Sequence, residues 1–400
     1  MRLPRVRFTV QGIMVAVVAV AVPGRAAEDS PKARLAAIEA AQKVASERYA
    51  VELQEVERTG AAQQPAIDRY VAAVRLNVES ALELAGANPD DPIAFEALKF
   101  VIRTNRAGPG DGTARALRMI LERNYTRTPR QGVYLGHIAL VLFQYPDAER
   151  VLRRVLEENP NRDDRGFACS WLARYLSEQA RMVRRFREDP AKMKSYERYT
   201  AAAPIATLVE GKDPVALDRE VDALLERVVT EYGGVLIEGD ARDLGTIASG
   251  ELFARRNLAV GKVVPEIEGA DHEGKTFKLS DFRGKVVVLT FSGNWCGPCV
   301  GMYPHERELV ARLEGKPFAL VSVNTDADVE TLGKSIVSGE ITWRCWWDGT
   351  SGPITTRWGV SRFPSIFVLD KSGMIRFKDV RSDDLDKAVA SLLDEAPPER

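Results

Sequence analysis

The apolar positions of this chain change period once. From about Ser30 to Leu258 they recur at helical spacing, interrupted by turn signals at Gly86-Ala87-Asn88-Pro89, Gly108-Pro109-Gly110 and Asn159-Pro160. From about Gly261 the pattern shortens into β-rich runs at Thr276 to Leu279, Lys285 to Phe291, Phe318 to Val323, Trp343 to Trp347, Ser365 to Leu369 and Met374 to Lys378. Helical patterns around Cys299 to Leu313 and Asp328 to Val337 separate some of these runs, and a last helix is expected from about Asp383 to Leu393. Strands alternating with helices predict parallel sheet built from βαβ units. The final two runs, joined through Asp370-Lys371-Ser372-Gly373, are close enough for an antiparallel hairpin. The expected architecture is an all-helical domain over residues 28–258 followed by an α/β domain over 261–395.

A faint repeat runs through the helical part. Aligned on Asn88, Asn124 and Asn159, which lie 36 and 35 residues apart, three segments carry Leu84, Ile120 and Val155 four residues earlier. Seven residues earlier stand Ala81, Leu117 and Leu152. That spacing is near the ~34 residues of tetratricopeptide repeats, whose helical hairpins stack because each must bury its apolar stripe on a neighbour. Most signature residues of that repeat are absent, so an irregular helical domain competes with a solenoid. Arg181 to Arg187 fit a solvated helix face, and the helical domain is a candidate surface for a protein partner.

The first 27 residues read as an export signal. Arg2, Arg5 and Arg7 precede the apolar run Ile13 to Val22, and Gly24-Arg25-Ala26-Ala27 follows, with cleavage expected after Ala26. An uncleaved membrane anchor is the alternative, but the run has ten residues where a spanning helix needs roughly 20. No Cys lies nearby to take a lipid. The expected location is exported, periplasmic or otherwise extracytoplasmic, where disulfides persist unless something reduces them. At 400 residues, 45% hydrophobic and 28% charged, the chain has material for two separate cores. A formal net charge of −1, without a Lys/Arg block, argues against nucleic acid as a partner. Four Cys in 400 residues do not make a disulfide-stapled scaffold.

Trp295-Cys296-Gly297-Pro298-Cys299 follows the apolar run Val286 to Phe291 and precedes a helical pattern, which places the pair at a strand-to-helix turn. Cys296 then falls at the positive end of the helix, where free backbone N–H groups favour thiolate over thiol. Cys299, one turn further in, is shielded and suited to be the resolving thiol. A zinc site is the rival reading, since Cys-x-x-Cys supplies half of a tetrahedral set. The chain holds no second such pair, only Cys169, Cys345 and three His, so neither a metal nor a cofactor is expected.

Four pieces of the second region occur in order: Ser280-Asp281-Phe282-Arg283-Gly284-Lys285, the Trp-Cys-Gly-Pro-Cys motif, Pro304 five residues beyond Cys299, and Phe363-Pro364-Ser365 opening a late strand. In these the chain resembles the thioredoxin superfamily, and within it the exported TlpA/ResA-like redoxins, over roughly Gly261 to Leu393. The resemblance implies a thioredoxin-like fold and thiol–disulfide oxidoreductase activity, with Cys296 as nucleophile and Cys299 as resolving thiol. It also implies a cis bond at Pro364 facing the active Cys, a substrate surface at Trp295, Phe363 and Pro364, and supporting roles for Gly297, Pro298 and Pro304, the last as the kink in the active-site helix. Gly-Pro between the cysteines matches the reducing thioredoxins, near roughly −270 mV, and not strong oxidants near about −120 mV. The implied partners are disulfide-containing exported proteins and an upstream thiol reductase.

Two departures stand out. Thioredoxins place a buried Asp where this chain has Thr290, and ResA-like proteins place a Glu where it has Met302. Glu306 shares the helical face of Cys299 but two turns along, about 10 Å at the usual rise, and His305 is off the face of either thiol, as expected of a surface histidine. A redox sensor or client-holding scaffold with little turnover is therefore the alternative function. Thiol peroxidase is a lesser one, because Leu289 and Gly293 replace the Pro and Thr/Ser of the peroxidatic pattern. Alternation sets Trp343, Cys345 and Trp347 on one strand face and Arg344 and Trp346 on the other. Cys345 and Cys169 read as buried core thiols. Asp326, Asp328 and Asp370 read as turn or capping residues and not metal ligands.

Overall fold

The computed structural model describes residues 30–104, 111–129, 134, 136, 145–190 and 210–395. The expected export signal and the turn at Gly108-Pro109-Gly110 lie outside the described residues. The chain falls into two compact units that divide between Val101 and Ile102. In the first, helices α1 (Pro31–Thr59) and α2 (Gln64–Ala87) pack together, with Tyr49 stacked on Tyr70 at 4.6 Å. Ser30 starts α1 by accepting a hydrogen bond from the Ala33 N–H, and Gly60 ends it in the left-handed conformation. Helix α3 (Pro92–Thr104) runs up to the division and past it.

The second unit opens with α4 (Gly112–Glu122), α5 (Pro146–Glu158), α6 (Arg162–Glu188), α7 (Pro214–Glu231) and α8 (Leu244–Asn257). Asn161, Asp213 and Asp243 cap the last three by accepting from Asp164, Val215 and Thr246 N–H groups. Helix α7 packs on both α6 and α8. The six repeat positions, Ala81, Leu84, Leu117, Ile120, Leu152 and Val155, are all fully buried, so the repeat marks the apolar stripes of α2, α4 and α5. Each Asn of the repeat sits just beyond a helix: the Asn88 amide donates to the Leu84 carbonyl, Asn124 takes φ 58°, and Asn159 donates to the carbonyls of Thr126 and Thr128.

Beyond α8 come a small antiparallel pair, β1 (Glu268–Ala270) and β2 (Thr276–Lys278), and a five-stranded sheet. The sheet holds β3 (Val286–Ser292), β4 (Phe318–Asn324), β5 (Arg344–Trp347), β6 (Ser365–Leu369) and β7 (Ile375–Lys378) in the order β5-β4-β3-β6-β7. Pairs β3/β4 and β4/β5 are parallel and β6/β7 is an antiparallel hairpin, as expected, while β3/β6 is antiparallel as well, so the sheet is mixed. All seven residues of β3 are buried. Val287, Leu289 and Phe291 face a core with Trp346 and Phe367, and Val286 and Val288 face another with Cys345 and Ile366. Covering on both faces is why this central strand reads as an unbroken apolar run.

Helices α9 (Gly297–Val300), α10 (Tyr303–Arg312), α11 (Val329–Val337), α12 (Pro353–Arg357) and α13 (Asp383–Asp394) complete the fold. The single helix expected over Cys299 to Leu313 is two helices. Pro304 lacks the N–H that would bond back to residue 300 and its ring crowds that carbonyl, so the chain breaks at Gly301-Met302 and restarts with Pro304 in the first turn. Strand β1 and helix α12 were not evident in the pattern, being three and five residues long. Among the described residues no helix is long and apolar enough to cross a membrane.

Helix α8 locks onto α12 through two glycines. A Cβ on Gly250 would lie 2.2 Å from the Thr356 carbonyl oxygen, and one on Gly359, at φ +60°, would lie 2.5 Å from the Gly250 oxygen. The Arg357 guanidinium covers the Phe253 ring alongside, at 5.1 Å. Gly250→Ala gains at most about 1 kcal/mol of helix propensity, against roughly 1–3 kcal/mol for overpacking against backbone that has nowhere to go. Denaturant unfolding of this variant should therefore show a net loss of up to about 2 kcal/mol; a stabilised variant would mean that the two backbones are not in contact.

Candidate active site

Strand β3 ends at Ser292 in the middle of the sheet, and the next four residues carry the chain to Cys296. Cys296 is the N-cap of α9, with φ −99° and ψ 99°, and its Sγ accepts a hydrogen bond from the Cys299 N–H at 3.3 Å. The two cysteines form a disulfide with Cα atoms 5.2 Å apart. Cys296 is 5% exposed and Cys299 1%, which leaves the first as the more accessible residue. The disulfide sulfur of Cys296 stands where a thiolate sits after reduction, so the same N–H would then donate to a charge, an interaction worth roughly 1.5–3 kcal/mol.

The loop before Cys296 is fixed by a residue far along the chain. Asp326 is buried, and its carboxylate accepts from the Asn294 backbone N–H at 2.6 Å, the Asn294 side-chain amide at 3.1 Å and the Asn324 amide at 2.8 Å. The Asn294 amide also donates to Ser335 Oγ at 2.9 Å. Trp295 Nε1 donates to Thr325 Oγ1 at 3.1 Å, and that hydroxyl donates on to the Ser292 carbonyl at 3.0 Å. Sequence assigned Asp326 a turn role and missed its partner 32 residues upstream; the only trace was its position after the end of a buried strand. Asp328 is the expected cap, accepting from Thr331 N–H at 2.8 Å.

Trp295 remains 60% exposed and meets the Phe363 ring edge-on at 5.0 Å. The Phe363-Pro364 peptide is cis. Trp295, next to Cys296 in the chain, thus touches the residue that precedes Pro364, whereas Pro304 lies in the first turn of α10. Gly297 and Pro298 form the first turn of α9.

His305 faces Asp386 at 3.1 Å, and Arg312 holds the same carboxylate at 2.8 Å. Glu306 is only 3% exposed, and burial pushes its carboxyl up to about 7. Its charge is felt at Tyr303 and Cys345. Thr290 is buried with its hydroxyl unpartnered. Cys345 lies 2.9 Å from Ser322 Oγ, and Cys169 donates to the Leu224 carbonyl; burial pushes each thiol up to about 12. Both are free and buried. Among the described residues no three His, Cys, Asp or Glu side chains come together as a metal set.

The Redoxin family model matches residues 259–393. Similar curated proteins include the thiol-disulfide oxidoreductase ResA of Bacillus thuringiensis subsp. konkukian, 28% identical over 130 residues, which are 32% of this chain and 75% of the relative. ResA of Bacillus subtilis is 25% identical over 130 residues, 32% of this chain and 72% of the relative. Among solved structures, the thioredoxin domain of a thiol-disulfide oxidoreductase from Bacteroides vulgatus is 28% identical, covering 34% of this chain and 100% of that one, with a TM-score of 0.32. A thiol:disulfide interchange protein DsbE from Chlorobium tepidum is 27% identical over 34% of this chain and 98% of that one, with a TM-score of 0.32.

Glu306 has a definite pH consequence. Its folded value is raised from 4.5 to about 7, so the native state binds the proton more tightly than the unfolded chain does. Stability from this group is present below about 4.5 and is lost as pH rises towards about 7, by at most about 3 kcal/mol. Glu306→Gln should remove that dependence, so that its denaturation midpoint gains on the parent between pH 4.5 and 7.5. Parallel stability curves for the two proteins over this range would contradict the burial of an ionisable carboxyl here.

Proposed function

We propose a reducing, extracytoplasmic role for this chain, starting from the premise that its residues 259–393 are a TlpA/ResA-like redoxin domain of the thioredoxin superfamily and that it is a thiol-disulfide oxidoreductase. The observation that carries the proposal is the Cys296–Cys299 disulfide with the Cys299 N–H directed at the outer sulfur. In the reduced protein, Cys296 thiolate attacks one sulfur of a substrate disulfide. The S–S bond breaks, the leaving thiolate takes up a proton, and a mixed disulfide forms at Cys296. Cys299, losing its proton, then attacks Cys296 Sγ and expels the second substrate thiol. Two electrons have passed to the substrate, and the protein is left with the Cys296–Cys299 bond. A partner thiol reductase has to return those electrons before another cycle.

Gly297-Pro298 between the cysteines supports the reducing direction. Trp295, 60% exposed beside Phe363 and Pro364, supplies an apolar surface for an extended substrate segment. Arg2, Arg5 and Arg7 ahead of the apolar run Ile13 to Val22 support export. In this reading residues 28–258 form the helical domain that receives clients and 261–395 the domain that exchanges thiols.

Insulin-disulfide reduction should fall to the uncatalysed rate in Cys296→Ser. Cys299→Ser should stall at the first step and accumulate mixed disulfides with clients, visible on non-reducing gels and dissolved by dithiothreitol. Turnover that persists in Cys296→Ser, or client adducts that form equally in both variants, would overturn the assignment of nucleophile and resolving thiol.

A further inference from the structure

Strand β6 pairs with β3 from Ser365 onward and with β7 on its other side, and the Asp379 N–H extends that second ladder by donating to the Ile366 carbonyl. Two residues further out on each side the pattern changes. The Pro364 carbonyl is met there not by a backbone N–H but by the Arg381 guanidinium, whose Nη2 donates to it at 3.1 Å. Asp379 at φ 55° and Ser382 at φ 50° bracket Val380-Arg381. Both lie in the left-handed region that residues with a Cβ rarely occupy, so the turn carrying Arg381 is a strained one that its surroundings hold in place.

A guanidinium carries several donors, and this one is exposed and makes no ion pair among the described residues. The carboxylates near it in the chain are turned elsewhere. Asp379 accepts from the Ile366 N–H, Asp384 lies beside Lys387, and Asp386 is held by His305 and Arg312, while Asp383 is exposed at the start of α13 and forms no ion pair with it. A second guanidinium, Arg362, directly precedes Phe363, and its side chain is 59% exposed. Glu178 of α6 engages it, but the same carboxylate also accepts from Arg181 Nε at 2.9 Å. Three guanidinium groups, Arg181, Arg362 and Arg381, are thus set against one carboxylate. The whole chain carries a formal charge of −1, so this positive excess is local to the Phe363-Pro364 segment.

We propose that Arg381 is a client-binding residue that, together with Arg362, selects disulfides carrying an acidic side chain beside the cysteine. The inference deepens the function proposed above and rests on it. A client segment seated on Phe363 and Pro364 has one guanidinium on the residue before Phe363 and the other bonded to Pro364 itself, and the Trp295–Phe363 contact joins this surface to the residue next to Cys296. Carboxylate is the anionic group that an unmodified protein client offers. Because both arginines are exposed, the attraction steers encounter and lowers KM and leaves the exchange of sulfurs unaltered. The helical layer takes part through Glu178, which fixes where Arg362 points.

The test uses the full chain and three disulfide peptides that differ only in carrying Glu, Gln or Lys beside the cysteine. At low salt kcat/KM should fall in the order Glu, Gln, Lys, by about fivefold from Glu to Gln and expressed in KM, the scale of an exposed ion pair. Raising NaCl to about 0.5 M should flatten the series. Arg381→Met should bring the Glu/Gln ratio close to one and Arg381→Lys should restore part of it, while iodoacetamide alkylation of Cys296 keeps its parent rate. Circular dichroism and unfolding midpoints check that each variant folds. Equal KM for the three peptides in the parent overturns the proposal. So does an Arg381→Met variant that loses the same factor on every peptide, since Arg381 would then only support Pro364. If no peptide is reduced, the oxidoreductase reading fails instead, and tryptophan fluorescence titration of the same peptides onto Cys296→Ser decides the selectivity: Kd must follow the same order and lose it in Arg381→Met.

Discussion

The hydrogen bond from the Cys299 N–H to Cys296 Sγ is the interaction on which the site depends. Two other thiols in the chain show what burial does without such an arrangement. Cys169 and Cys345 are pushed up to about 12, the first facing a backbone carbonyl that can only accept, the second a carbonyl and one hydroxyl. Neither could supply a useful fraction of thiolate near neutral pH. Cys296 differs in lying at a helix start, where a backbone N–H is directed at its sulfur.

Holding one sulfur at one N–H requires the loop before it to be immobile. Strand β3 anchors that loop on one side, because its seven buried residues are gripped by cores on both faces. Asp326 anchors it on the other by gathering the Asn294 backbone and side chain. The break before Pro304 frees the short helix α9 to take its own direction while α10 buries Tyr303 and Leu309 against the sheet. The opposite side of the substrate edge is fixed from the helical layer. Gly250 and Gly359 bring α8 into backbone contact with the segment just before Arg362, and Glu178 of α6 engages Arg362 itself. The helices therefore brace the segment that leads into Phe363 and Pro364.

Much of this was legible in the sequence wherever the determinant was local. The apolar runs of β3 to β7, the cysteine pair at a strand-to-helix turn, the closing helix from Asp383 and the opposed faces of Cys345 and Trp346 all follow from neighbours a few residues apart. Strand β1, Glu-Gly-Ala, and helix α12, Pro-Ile-Thr-Thr-Arg, carry too few large apolar side chains to show a period. The helix break was readable only as a kink, since a proline fixes where hydrogen bonding must fail but not whether the helix bends or restarts. Asp326 was out of reach for another reason: its meaning lies in a group brought near by the fold, Asn294. The antiparallel placing of β6 against β3 is likewise a fact of topology and not of periodicity.

The most direct test of the central interaction is the pH dependence of iodoacetamide alkylation in the reduced protein, read residue by residue by mass spectrometry. Cys296 should be modified before Cys299, with a half-maximal rate at a pH below the value of about 8.5 typical of a free cysteine. Earlier modification of Cys299, or a half-maximal rate for Cys296 at or above that pH, would show that the backbone donor does not stabilise the thiolate.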